Sequence, residues 1–239
     1  MTTWACLACS AEFDSRPPVC GVCLDTGTLV MRPMAVGGRP VAAQPRRRGG
    51  IVAAATLRPD LTSAGYPAPW SEWSLPARHA ILLYGPPGGG KSTAATALAI
   101  EAARRGPVLY VAAEEGHAAS LVQRLERLGL DDLTGRRLRV SDARDPFELV
   151  EDLEADPKSL VILDSVSELR LKPAAGLELL GARSWVAVQH FNSRGGAHGG
   201  LDWSHAVDLV ARVEAGTLTT TKNRFGSLAE FPVPGWRSR

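Results

Sequence analysis

One run of residues narrows the possibilities more than any other: Gly85-Pro86-Pro87-Gly88-Gly89-Gly90-Lys91-Ser92, followed by Thr93. It comes directly after an apolar stretch, Ala80–Tyr84, and opens an alanine-rich one, so the chain must pass from strand through a tight turn into helix. Glycines in such a turn let consecutive backbone N–H groups wrap phosphate oxygens, and the helix N-terminus adds a potential that favours anions. Lys91 then supplies a point charge to the β- and γ-phosphates, and the Ser92 hydroxyl a ligand for magnesium. The expectation is a Gly85–Thr93 phosphate loop that binds ATP with Mg2+ and supports its hydrolysis.

The rest of the second half fits a fold that carries such a loop. Short apolar runs alternate with helical patterns, which predicts an α/β core with a mostly parallel sheet flanked by helices. Strands are expected at Ala80–Tyr84, Val108–Ala112, Leu138–Val140, Leu160–Leu163 and Val186–Gln189. Helices are expected at Ser92–Arg105, Ala118–Leu128 and Pro146–Glu154. The first helix is alanine-rich on nearly every side and ends in Arg104-Arg105-Gly106, which implies close burial, cations at the negative helix end and a glycine stop. Two later runs, Val207–Val213 and Leu218–Lys222, follow without an intervening helix and are expected to pair antiparallel.

Further polar residues fall at the ends of these strands. Asp164 closes the run Leu160–Leu163, where a carboxylate holds magnesium through its water shell. Ser165 follows it, whereas ATPases of the AAA+ class usually place their water-activating Glu at that position, which disfavours the class. Glu114 and Glu115 instead stand just past Val108–Ala112, at the sheet edge where open α/β folds bind ligands. Glu114 is the choice to orient and deprotonate the attacking water, with Glu115 suited to the macrodipole of the next helix. Gln189, ending its strand, is placed to sense the γ-phosphate, with His190 as the alternative.

All four cysteines lie near the N-terminus, as Cys6-Leu7-Ala8-Cys9 and Cys20-Gly21-Val22-Cys23. Two C-x-x-C pairs complete a tetrahedral site with no open position, so residues 1–30 are expected to form a zinc-binding module (Zn2+), iron being the competitor. Residues 31–74 are rich in Pro, Gly, Ala and Arg, and read as a linker whose distal part, with Trp70 and Trp73, packs on the next domain. The core domain is expected over 75–239. A formal net charge of +2 does not by itself call for a polyanionic partner. No stretch approaches a membrane span and the N-terminus lacks signal-peptide order, so a cytoplasmic protein without membrane contact is expected.

Taken together, these pieces resemble the RecA-type ATPases, and within them the RadA (Sms) family of bacterial DNA repair. The four-cysteine module, linker and phosphate loop occur in the family's order. Tyr110-Val111-Ala112-Ala113-Glu114-Glu115 and Leu160-Val161-Ile162-Leu163-Asp164-Ser165 are similar to its second-strand and magnesium-site motifs. His205-Ala206-Val207-Asp208 resembles its H-x-V-D segment, and Lys222-Asn223-Arg224-Phe225-Gly226 reproduces its KNRFG motif. The resemblance implies a RecA-like P-loop core with a zinc ribbon, DNA (single-stranded) as partner, and a homo-oligomeric ring. Lys222 and Arg224 stand two apart on an expected strand, and so project to one side. Within this motif they suit a finger reaching a neighbouring subunit's ATP site.

Two departures bear on DNA. The family continues into a Lon-protease-like domain where this chain ends at Arg239, and the stretch from Asp164 to Trp185 is shorter than the family pattern. DNA binding is therefore expected to be weak and salt-sensitive, with Asn192–Gly200 as a candidate loop. The alternatives are a P-loop kinase or other phosphotransferase, and a RecA-class adaptor that binds ATP with little turnover.

Overall fold

The computed structural model describes the backbone of residues 2–6, 12–13 and 29–33, and residues 62–181, 183–190 and 201–237, with side chains from 203 in the last stretch. The chain divides into two compact units, Met1–Leu61 and Thr62–Arg239. In the first, Thr2–Cys6 (β1), Glu12–Phe13 (β2) and Leu29–Pro33 (β3) form an antiparallel sheet in the order β2-β1-β3 that sets Cys6 opposite Leu29. The Cys6 side chain, Cys9, Cys20 and Cys23 lie outside the described residues, and the expected zinc site with them. So do residues 34–61 and the Asn192–Gly200 loop.

The second unit is built on eight strands: Ala80–Gly85 (β4), Val108–Val111 (β5), Leu138–Ser141 (β6), Leu160–Asp164 (β7), Trp185–His190 (β8), Leu209–Glu214 (β9), Thr217–Asn223 (β10) and Glu230–Pro232 (β11). Their order is β11-β10-β9-β4-β8-β7-β5-β6, and every pairing from β9 to β6 is parallel. Continuous apolar runs such as Ile81-Leu82-Leu83 and Val161-Ile162-Leu163, all fully buried, are what a parallel sheet covered on both faces requires. This is the expected α/β core, consistent with a RecA-like P-loop fold.

Helices connect these strands. The first, Lys91–Ala103 (α1), buries nearly every side chain after Thr93, as its alanines allow. It stops before the expected Arg105, with Arg104 paired to Glu101 at 2.5 Å. Next come Ala119–Arg127 (α2), Asp132–Gly135 (α3) and Pro146–Ala155 (α4). Asp145 caps α4 by accepting from the Phe147 and Glu148 N–H groups, and Pro146 fits the first helical turn, where its missing N–H costs nothing.

Three helices depart from the sequence reading, the first being the single-turn α3. Pro173–Leu180 (α5) occupies the short stretch after Asp164. Leu201–Ala206 (α6) precedes β9, so the run from Val207 does follow a helix, and β9 pairs parallel with β4 before the chain reverses into β10. A six-residue helix is too short to display a hydrophobic period, which is why it was not legible. The β9–β10 pairing is antiparallel as expected. Trp70 and Trp73, in a 3-10 turn, are buried against Phe231, and the Trp73 indole donates to Thr220 Oγ1 at 2.9 Å. Among the described residues no helix is long and apolar enough to cross a membrane.

Candidate nucleotide site

Four neighbouring strands, β4, β8, β7 and β5, end at the same edge of the sheet, and each delivers polar groups there. The phosphate loop leaves β4 and folds tightly against the β9–β10 turn, where Gly216 N–H donates to the Gly89 carbonyl at 3.0 Å. A Cβ on Gly85 would overlap the Val213 carbonyl, so only glycine allows this approach. Gly90 adopts a φ of 107°, and a Cβ on it would meet the Trp236 ring at 2.8 Å. Trp236 thereby flanks the loop.

Lys91 is 5% exposed, and its Nζ donates to the Pro86 carbonyl at 2.8 Å. Burial lowers its pKa, while the Asp164 and Glu114 carboxylates pull it back up. Ser92 Oγ donates to Asp164 Oδ1 at 3.3 Å, and the Tyr110 hydroxyl donates to Asp164 Oδ2 at 2.6 Å. Asp164 is buried, which raises its pKa; the two hydrogen bonds oppose that rise. A hydroxyl and a carboxylate side by side are hard oxygen ligands, and magnesium is held by few protein groups plus substrate phosphates. The pair fits that ion. Among the described residues no group of three or more His, Cys, Asp or Glu is placed to hold a metal without such phosphates.

The two glutamates after β5 separate in role. Glu115 is tied to Arg124 by an ion pair and accepts from Ser120 Oγ at 2.6 Å. Glu114, with its side chain 49% exposed, lines the cleft, and its carboxylate meets His190 Nε2 at 3.2 Å. Gln189 sits one residue earlier on β8, is 3% exposed, and its Oε1 has no hydrogen-bond partner among the described residues. Of the two sensor candidates, His190 is the one that lines the cleft.

The cleft measures about 610 Å³, in the range of small-molecule sites. Among the described residues its walls include Lys91, Arg127 and Arg237, together with Arg124, which is paired to Glu115, and the acid Glu114, a cationic balance suited to a polyphosphate. Tyr110 appeared in the sequence reading only as part of a motif, and Arg124 and Trp236 were missed. Arg124 looks in sequence like any helix-surface cation. Trp236 follows the last strand with no pattern around it.

Lys222 and Arg224 are not brought to this cleft. Asn223 pairs with Leu209, which pairs with Ile81, so the end of β10 lies at the opposite edge of the sheet. There Lys222 Nζ donates to the Ser204 and Val207 carbonyls, each at 2.6 Å. Arg224 donates to the His205 carbonyl at 3.1 Å and reaches Asp208 Oδ1 at 3.4 Å. The KNRFG and H-x-V-D segments are thus partners within one chain.

Residues 70–171 match a family model described as an AAA domain. The match stands although Ser165, and not an acidic residue, follows Asp164. The chain is 29% identical over 173 residues to the DNA repair protein RadA of Streptococcus pyogenes serotype M1, and 30% identical over 176 residues to that of Aquifex aeolicus strain VF5. It is 28% identical over 173 residues to the RadA of Streptococcus pneumoniae R6. Each alignment takes in 64% of this chain and 38%, 39% and 41% of the respective relative, so the chain spans about two fifths of the length of these proteins. The likeness to RadA drawn from the motifs is therefore a likeness of sequence along most of the chain.

Proposed function

We propose that this protein is a magnesium-dependent ATPase that acts on DNA in repair or recombination, as a homo-oligomeric ring. The observation that carries the reading is the meeting of Lys91 and Ser92, both after β4, with Glu114 from the end of β5 on one cationic cleft, and Asp164 from the end of β7 bonded to Ser92. Backbone N–H groups of Gly88–Thr93 and the Lys91 side chain bind the phosphates. Ser92 and Asp164 would hold magnesium, which would supply positive charge to the phosphates. Glu114 orients the attacking water and accepts its proton, and His190 steadies Glu114 and registers whether the γ-phosphate is present, a role open also to Gln189.

The DNA partner and the ring rest on the likeness to RadA together with the shared motifs. The KNRFG likeness supports a finger offered to a neighbouring subunit; to serve it, Lys222 and Arg224 would have to leave the Ser204, His205 and Val207 carbonyls that they now hold. The two C-x-x-C pairs support one structural zinc bound by Cys6, Cys9, Cys20 and Cys23. One experiment tests the whole: ATP turnover with and without single-stranded DNA, with particle size and zinc content measured on the same sample. The reading expects DNA-stimulated turnover, ATP-dependent assembly and about one zinc per chain. A monomer that instead phosphorylates a small molecule would make it a kinase, and assembly without turnover an adaptor.

A further inference from the structure

Behind the cleft lies a buried polar array for which phosphate binding has no direct use. Tyr110 is fully buried in the centre of the apolar strand β5, and its hydroxyl donates to Asp164 Oδ2 at 2.6 Å. Thr96, also fully buried, donates from Oγ1 to the Ser92 carbonyl at 2.7 Å, and lies 3.3 Å from the Tyr110 oxygen. Arg124 Nε donates to that Thr96 oxygen at 2.9 Å, while its other nitrogens hold Glu115. So Asp164 is held through Oδ2 by Tyr110, and the backbone of Ser92 is held through its carbonyl by Thr96. The grip reaches α2, whose Ser120, Gln123, Arg124 and Arg127 form one wall of the cleft.

A tyrosine in such a strand needs a partner for its hydroxyl, and a helix backbone carbonyl or Thr96 alone would serve that need. Its hydroxyl goes instead to the one carboxylate beside Ser92. A carboxylate oxygen held by a short O–H donor is fixed in rotation, which leaves Oδ1 aimed at Ser92. We infer that Tyr110 is a positioning residue for magnesium: it sets the orientation in which Asp164 and Ser92 together receive the ion, with Thr96 and Arg124 seating the serine side of the pair. The inference rests on the nucleotide-site reading above, and deepens it.

The test reads binding, not turnover. Affinity for a fluorescent ADP analogue is measured in excess EDTA and then across a magnesium titration, for the intact chain and for Tyr110→Phe. The expected result is metal-free affinity within about twofold of the intact chain and a half-saturating magnesium concentration raised about ten- to a hundredfold, the scale of one hydrogen bond to a charged group. In an Asp164→Asn background, Tyr110→Phe should add no further loss, because the tyrosine acts through that carboxylate. Equal magnesium dependence in the intact and Tyr110→Phe chains, with nucleotide bound by both, overturns the inference alone. Absence of nucleotide binding in the intact chain overturns the site reading first, and this inference with it. Should Tyr110→Phe not fold, the intact chain labelled with 3-fluorotyrosine answers instead. Magnesium added to the ADP-bound protein should move the Tyr110 fluorine resonance, assigned through Tyr66→Phe and Tyr84→Phe, and an unmoved resonance overturns the inference.

Discussion

At the carboxyl ends of β4, β8, β7 and β5 polar groups are held in place and left available, whereas at the amino ends of the same strands the cations are consumed by their own chain. On the first edge Glu114 is half exposed, Gln189 Oε1 is unpartnered among the described residues, and Lys91 rests on one carbonyl. On the second, Arg183 donates to the Leu153 and Asp156 carbonyls at the end of α4, and Arg78 to the Gly181 carbonyl after α5. Lys222 and Arg224 take those at the end of α6. One topology accounts for both. Helices that return between parallel strands bring their N-termini to the carboxyl edge and their C-termini to the amino edge. The partial positive charge of the former suits a phosphate, and the exposed carbonyls of the latter require donors.

Substitutions on the two edges should therefore fail in different ways. Lys91→Ala and Glu114→Gln give the largest effects. The first should abolish ATP binding and turnover, and the second should lower turnover at least about a hundredfold while ATP still binds, with melting temperature without nucleotide little changed for Glu114→Gln. Steady-state phosphate release beside nucleotide binding checks both. Near-normal turnover in Glu114→Gln would move the base elsewhere on the edge.

Lys222→Met should produce a smaller effect of another kind. It strips two carbonyls of a charged donor, and should cost about 1–3 kcal/mol of stability, or about 2–4 °C in Tm per kcal/mol. Thermal unfolding without nucleotide reads this directly. An unchanged Tm with turnover lost in the assembled protein would assign Lys222 to a neighbour's cleft and not to α6. Arg224→Ala subunits mixed with Lys91→Ala subunits sharpen the same point: recovered turnover means Arg224 acts across an interface.

Arg78→Met is the smallest effect, about 0.3–1 kcal/mol, since it removes one exposed contact at a helix end. A loss of turnover without loss of stability there would break the division between the edges.

Much of the carboxyl edge was legible in the sequence, because it is made of local signals. A phosphate loop is contiguous, and Asp164 and Glu114 stand at the ends of apolar runs that announce themselves. The amino edge was not. The partners of Lys222 lie at Ser204 and Val207, in and beside a helix too short to show a period, and no spacing rule joins them. The same holds for Tyr110 and Arg124, whose importance comes from what lies behind the strand and not from their neighbours in the chain. Trp236 was illegible for a third reason: it touches Gly90 across the fold, and a lone tryptophan after a strand carries no address.

The order of the strands has one more consequence, which concerns how the protein comes to exist at all. β8 follows β7 in the chain, yet it must also pair with β4, a strand made long before it, and so slips between the two. Pairings of that kind form late and slowly, since the chain between them has to be ordered first. The nucleotide pocket, which draws residues from the ends of β4, β5 and β8, is expected to be complete only once β8 is in place. A ligand that recognises it selects for the finished molecule, and at a hundredfold excess over its dissociation constant would draw the folding equilibrium forward by about 2.7 kcal/mol.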